Sequence, residues 1–368
     1  MSALHVRLGE RSYPIFIGSD ILSRAGRLLK DRVASRNALI VSQKEIPVHT
    51  QHALRESLSR EGFETGIFLT PQAKSSEAAK SQAVYSQLIK KMAAMDGKNK
   101  SLVLVAVGGG VIGDLTGFAA SVYRRGVPYA QVPTTLTAQV DSAIGGKTGI
   151  DLPEGKNLLG SIYQPIVVLS DVSVLHSLPG RHWSDGFAEV IKYGVIRDAA
   201  LFSLLEKNGK DGVRTNARLL EKVILRCARI KAKVVEKDEF DKKDVRIILN
   251  YGHTAGHAIE AASRFTRQYT HGEAVAVGML VAAHIAEELG VLKDKTLTPR
   301  LEKTLLKFEL PIFYKGVPTD LILKAIGYDK KAEAGANRFV LPVAMGKVTV
   351  VKNIPTAVIV RCLEKRKN

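Results

Sequence analysis

The segment that most limits the fold is Leu102-Val103-Leu104-Val105-Ala106-Val107, followed without a break by Gly108-Gly109-Gly110-Val111-Ile112-Gly113-Asp114. An uninterrupted apolar run of β-prone residues reads as a strand covered on both faces, the habit of strands in parallel sheets. Glycines at 108, 110 and 113 satisfy G-x-G-x-x-G, and a helical pattern to about Val122 follows. Strand, glycine turn and helix in that order let a pyrophosphate approach the backbone and meet the N–H groups at the helix start. A merely tight strand-to-helix turn is the competing reading. Two features depart from the ordinary dinucleotide fingerprint: several strands precede the loop, and no acidic residue lies about 20 positions beyond it. Asp114 sits inside the loop instead.

The flanking sequence extends this pattern. Strand signals at Leu4 to Leu8, Tyr13 to Ile17, Ala38 to Val41, Phe63 to Leu69, Tyr129 to Val132 and Ile166 to Leu169 alternate with helix signals. The helices are expected from Asp20, as N-cap, to Leu29, from His49 to Glu61 and from Ser76 to Met95. Such alternation predicts a parallel α/β sheet. The glycine-rich stretch from Gly145 to Gly160 reads as loop and short helix. Beyond Leu178-Pro179-Gly180 helical patterns dominate: Trp183 to Gly194, Ala199 to Lys207, Val213 to Lys237, His253 to Arg264, Glu273 to Leu289 and Leu301 to Phe308. A strand pair, Arg338 to Pro342 and Lys347 to Val351, precedes a last helix near Pro355 to Lys365. At 368 residues the chain is long for one domain and comfortable for two. The expected architecture is an α/β domain over 1–180 with a Rossmann-like nucleotide-binding sheet, then a mainly helical domain over 181–368.

Composition excludes several classes. No apolar run reaches the ~18 residues of a membrane span. The start, Met1-Ser2-Ala3-Leu4-His5-Val6-Arg7, lacks a signal-peptide apolar region, so a soluble cytoplasmic protein is expected. The two cysteines, Cys227 and Cys362, rule out a disulfide framework. The net charge of +18 is spread along the chain, without a basic tail or a nucleic-acid module. It reads as a solvated basic surface that attracts anionic small molecules, with no nucleic acid and no membrane as partner.

Chemistry-bearing residues gather in Asn250-Tyr251-Gly252-His253-Thr254-Ala255-Gly256-His257-Ala258-Ile259-Glu260 and in His271-Gly272-Glu273. Two histidines four apart share a helical face. Gly252 and Gly256 precede them, and glycine in a helix suggests a close approach to the backbone, by a metal or a substrate for example. Two ordinary surface histidines are the plain alternative. Catalytic zinc takes three protein ligands and an open position, and His253, His257 and His271 are candidates. The H-E-x-x-H pattern fails because Thr254 stands where the base would be. Glu189 and Lys192 lie three apart on one helical face, for which a structural ion pair is the plain account. Gly145-Gly146-Lys147-Thr148 is not a P-loop, since Asp141 occupies the required glycine position. Lys147 and Lys156, set among small residues, are candidates to meet a ligand phosphate or carboxylate.

Taken together, these segments closely resemble the 3-dehydroquinate synthase family over nearly the whole chain. The most specific parts are Gly108 to Asp114, Gln139-Val140-Asp141-Ser142 through Lys147-Thr148-Gly149, Pro153-Glu154-Gly155-Lys156-Asn157, Ala188 to Gly194, Leu249 to His257, and His271-Gly272-Glu273-Ala274-Val275. The resemblance implies that Glu189, His253 and His271 bind zinc, or cobalt in its place, while His257 faces the substrate. It places NAD along Gly110, Val111, Ile112, Gly113, Asp114, Thr134, Thr135, Lys147, Lys156, Val174, Leu175, His176 and Ser177, with Glu77 and Lys80. It places substrate at Arg125, Asp141, Lys147, Asn157, Lys192, Lys231, Arg246 and Asn250, and at Lys330 or Lys331. It further implies a homodimer that acts on a small sugar phosphate in the shikimate pathway. Two stretches depart from the family pattern, Ser42-Gln43-Lys44 and Pro71 to Lys80, both at the adenosine end of the NAD site. Another sugar-phosphate cyclase, or a metal-dependent polyol dehydrogenase that releases NADH, is the alternative.

Overall fold

The computed structural model describes residues 1–72, 76–96, 102–263, 268–329 and 337–368. They form two compact units, Met1–Pro179 with Ile224–Phe240, and Gly180–Val223 with Asp241–Asn368.

The first unit is built on a seven-stranded sheet. In chain order it contains β1 (Ser2–Val6), β2 (Tyr13–Gly18), α1 (Ala25–Lys30), β3 (Asn37–Ser42), α2 (Val48–Arg60), β4 (Glu64–Leu69) and α3 (Gln82–Asp96). Then follow β5 (Val103–Gly108), α4 (Gly110–Val122), β6 (Tyr129–Pro133), β7 (Lys147–Leu152), β8 (Gly155–Ile162) and β9 (Val167–Asp171). The sheet order is β1-β2-β9-β6-β5-β3-β4, parallel except for β1 against β2. Along β5, Val103, Val105 and Val107 join one core with Leu54 and Leu58 of α2, while Leu104 and Ala106 join another with Leu88, Leu115 and Phe118 of α3 and α4. Both faces are covered, which is why the strand shows no polar alternation.

The chain leaves β3 toward β4 on one side and leaves β5 toward β6 on the other. The strand order therefore reverses between β3 and β5, and ligands of open α/β sheets bind outside the carboxyl ends at such a point. The glycine loop opens there, and the Ser42 hydroxyl at the end of β3 donates to the Val107 carbonyl at 3.0 Å.

Three local expectations change. The stretch expected as loop and short helix is the antiparallel β7–β8 hairpin, after a π-helical turn at Ala138–Ser142. Gly149 and Gly160 face each other across it, and a Cβ on Gly160 would lie 2.4 Å from the Thr148 carbonyl oxygen. Strand glycines weaken the sequence signal yet are required by this close approach. Asp20 is left-handed, with φ 57, and makes no side-chain cap. The Asp171 carboxylate instead accepts from the N–H groups of Asp20 and Leu22, at 3.1 and 3.0 Å, ahead of a 3₁₀ turn over Ile21–Arg24. The Ser76 start likewise belongs to a 3₁₀ turn, with the α-helix beginning at Gln82.

The second unit holds α5 (Gly180–Arg197), α6 (Ala199–Arg214), α8 (His253–Ala262), α9 (His271–Glu288), α10 (Leu297–Lys307), α11 (Thr319–Asp329), β10 (Arg338–Ala344), β11 (Lys347–Lys352) and α12 (Thr356–Glu364). Between them in sequence, α7 (Ala217–Lys237) is divided, with 217–223 in this unit and 224–237 in the first. The expected helix end at Arg264 lies outside the described residues, and α11 had no sequence expectation. No helix among the described residues is long and apolar enough to cross a membrane.

Helices α8 and α9 meet backbone to backbone. A Cβ on Gly278 would lie 2.0 Å from the Gly252 carbonyl oxygen, and one on Gly256 would lie 2.9 Å from Val275 Cα. Gly252 also needs its freedom, with φ +78 at the helix start. The glycines beside the histidines thus admit a neighbouring helix. We predict that Gly278→Ala costs about 1–3 kcal/mol through overpacking and lowers the melting temperature. Gly180→Ala, where a Cβ meets nothing within 4 Å, is the neutral control. Equal melting of both variants and the parent would contradict the helix contact.

Candidate functional site

Three elements of the second unit converge on one carboxylate. His271 is the first residue of α9, and its position is fixed by a capping box: the Thr270 hydroxyl accepts from Glu273 N, and Glu273 accepts from Thr270 N at 2.8 Å. Arg181 grips the Glu273 carboxylate through two N–H groups, at 2.8 and 2.7 Å. A Cβ on Gly272 would lie 2.3 Å from the Asp185 carbonyl oxygen, so α9 starts hard against α5. One turn beyond Asp185 on α5 is Glu189, only 2% exposed. His253 is the first residue of α8, after the left-handed Gly252.

Glu189 Oε1 lies 3.4 Å from His253 Nε2 and 3.3 Å from His271 Nε2. Bonds of ~2.0–2.1 Å to a tetrahedral zinc put its ligand atoms about 3.3–3.4 Å apart. The other ring nitrogens are engaged from behind, His253 Nδ1 with the Tyr251 carbonyl at 3.1 Å and His271 Nδ1 with Glu260 Oε2 at 3.5 Å. That arrangement leaves both Nε2 atoms for a metal, as outer partners of metal-bound histidines do. The Lys192 ammonium touches Glu189 Oε2, yet that oxygen accepts no directed hydrogen bond among the described residues. Two imidazoles and a carboxylate form a donor set that suits zinc or cobalt. His257 joins the group: ligand nitrogens of His253, His257 and His271 all lie within 4.8 Å of one another. It is also the most exposed of the three histidines.

The charges explain one another. Burial would raise the Glu189 carboxyl, but Lys192 first and then His253 outweigh it and hold it well below the usual range. Burial likewise opposes charge on His271, but hydrogen bonds to Glu189 and Glu260 push it up to about 10. His253 is lowered by burial and by Lys192. His257 is pushed down to about 4, by the protein packed around it and then by its histidine neighbours. The Glu189–Lys192 pair expected on a helix surface is buried at the centre of this cluster.

The first unit carries a second cluster around the glycine loop. A Cβ on Gly113 would lie 2.8 Å from the Gln131 side chain, and one on Gly110 would lie 2.9 Å from Ser142 Oγ. Ser142 Oγ and Thr134 Oγ1 are buried without a hydrogen-bond partner among the described residues. Thr134 follows β6, its N–H donating to the Gly108 carbonyl at 2.9 Å, so its hydroxyl is fixed beside the loop. Unsatisfied hydroxyls next to a helix N-terminus fit a phosphate-bearing cofactor such as NAD. Thr135 Oγ1 instead accepts from Ala138 N at 3.2 Å. Lys80 donates to Asp114 at 2.8 Å and to Asn157, and Glu77 lies 3.9 Å from both Lys80 and Lys156. Burial pushes Asp114 up to about 6 despite Lys80.

The remaining expected residues fall as follows. Asp141 pairs with Lys231 at 2.9 Å within the first unit. Lys147 opens β7 with its side chain exposed, and Arg125, also exposed, is left-handed at φ 63. Val111 and the buried Ile112 lie in the first turn of α4. Val174 and Leu175 are buried in a 3₁₀ turn, so a ligand there would meet backbone, whereas His176 and Ser177 are exposed. Arg246, buried, and Asn250, exposed, stand at the two ends of another 3₁₀ turn. Lys330 and Lys331 lie outside the described residues. Sequence reasoning gave no role to Ser142, to the Tyr251 carbonyl or to Glu260. Only Glu260 carried a readable signal, being three residues past His257 and seven past His253 on the same helical face.

Residues 70–185 match the family model described as 3-dehydroquinate synthase N-terminal, and residues 186–332 match 3-dehydroquinate synthase C-terminal. A 3-dehydroquinate synthase of Symbiobacterium thermophilum is 41% identical over 352 residues, 95% of this chain and 96% of that protein. The crystal structure of 2-deoxy-scyllo-inosose synthase complexed with carbaglucose-6-phosphate, NAD+ and Co2+ is similar with a TM-score of 0.86 at 25% identity, over 99% of this chain and 100% of the other. The 2-epi-5-epi-valiolone synthase of Streptomyces hygroscopicus subsp. jinggangensis, with NAD+ and Zn2+ bound, is similar with a TM-score of 0.85 at 27% identity, over 98% of each chain.

The geometry predicts distinct metal phenotypes. His271→Ala and Glu189→Ala should lose zinc while remaining folded, and Glu260→Gln should weaken zinc about 10- to 100-fold, read by competition with a chelator. His257→Ala should keep the metal. Stoichiometric zinc in Glu189→Ala would refute the ligand set.

Proposed function

Because the chain belongs to the 3-dehydroquinate synthase family, we propose that it converts 3-deoxy-arabino-heptulosonate 7-phosphate to 3-dehydroquinate and phosphate. The observation that carries this reading is 41% identity to a 3-dehydroquinate synthase along 95% of the chain, a stretch that includes the glycine loop and the Glu189 cluster. The conversion runs by oxidation of one hydroxyl, loss of phosphate, re-reduction of the ketone, ring opening and an intramolecular aldol closure.

Glu189, His253 and His271 would hold zinc or cobalt and the glycine-loop cluster would hold NAD; the metal supplies a Lewis acid and NAD an acceptor that returns its hydride. Each remaining part of the chain has work of its own. The α4 N-terminus, with Thr134 and Ser142 beside it, receives the cofactor phosphates. Lys147, Lys192 and Arg125 neutralise substrate anionic groups, and Arg246 with Asn250 grips the carboxylate, for which a guanidinium can use two hydrogen bonds. His257, pushed down to about 4 and so neutral at pH 7, accepts a proton or donates from its one ring N–H to the leaving phosphate. Within this reading 1–180 is the NAD-binding part and 181–368 the part that binds metal, except that 224–240 packs with the former.

The test is incubation of metal-loaded protein with the heptulosonate phosphate and catalytic NAD. Phosphate and dehydroquinate should appear together, one for one, without net NADH. Net NADH without phosphate would mean a polyol dehydrogenase and would overturn the proposal.

A further inference from the structure

Lys80 is a buried lysine that ties three parts of the first unit together. Its Nζ donates to Asp114 Oδ2 at 2.8 Å and to the side-chain oxygen of Asn157. Its backbone carbonyl accepts from the N–H of Asp151 at 2.7 Å. Asp114 lies in α4, next to Gly113 of the glycine loop, and Asn157 lies in β8 of the hairpin. An ammonium taken out of water is costly unless its partners are fixed, so this one holds its neighbours to a narrow range of positions. Asn157 is constrained from a second side as well. It is left-handed, with φ 55, and its N–H donates to Asp151 Oδ1 at 2.8 Å. Backbone and carboxamide of Asn157 are thus set by different groups, and the carboxamide is set by the ammonium that also holds Asp114.

Resting on the reading above, in which Asp114 lies on the NAD side and Asn157 on the substrate side, we propose that Lys80 is a positioning residue that couples the two ligands. A cofactor that engages Asp114 restrains the ammonium, and the ammonium restrains the Asn157 carboxamide. The ordering is then done once for both ligands, so each tightens the other by the same factor.

The probe pair is NAD and 3-dehydroquinate, titrated by calorimetry into the metal-loaded protein in phosphate-free buffer, where the elimination cannot run backwards. Saturating dehydroquinate should lower the Kd for NAD about 5-fold or more in the parent. In Lys80→Met that factor should fall to one, with the dehydroquinate complex still detectable. If Lys80→Met does not fold, Asn157→Gly keeps a left-handed backbone, removes the carboxamide and should lose the same factor. An undiminished factor in either folded variant, or no coupling in the parent, overturns the inference and leaves the proposed function standing. No binding of dehydroquinate to the parent overturns both.

Discussion

Burying the Glu189 carboxylate is costly, because an ion taken from water into protein loses several kcal/mol of solvation. Much of the second unit is arranged as the answer to that cost. Lys192 supplies charge from the next turn of the same helix, and His253 and His271 face one oxygen from the first positions of two other helices. A capping box fixes the start of the helix that carries His271, and each histidine is further held through its second nitrogen. A metal at the three ligand atoms would take over the role that the His271 proton plays without it.

The placement of those histidines depends in turn on how closely helices approach. Gly252, Gly256 and Gly278 let α8 and α9 touch through backbone atoms, and Gly272 lets α9 start against α5. From sequence, the glycines beside His253 and His257 suggested room for a metal or substrate. What fills that room is another helix, and the consequence for function is indirect: the rings meet because the backbones do.

Legibility followed the strength of the local physics. The β5 run and its glycine loop were readable because a strand covered on both faces has a distinctive composition, and the α/β alternation followed from it. The β7–β8 hairpin was not, because Gly149 and Gly160 serve a close pairing of antiparallel strands while erasing the β-propensity signal. Helix α7 could be read as a helix, but its division between two units depends on tertiary packing that no periodicity encodes. At the site, residue types and spacing left His253, His257 and His271 as candidate ligands, and the resemblance put Glu189 in place of His257. Distances of 3.3 and 3.4 Å from Glu189 Oε1 are compatible with the latter set, and the clustering of the three histidines is compatible with the former.

That choice of ligands is best tested by X-ray absorption at the zinc edge of the metal-loaded protein. The account predicts two imidazoles and one carboxylate oxygen at about 2.0–2.2 Å, with the imidazole count unchanged in His257→Ala. Three imidazoles, falling to two when His257 is replaced, would contradict it.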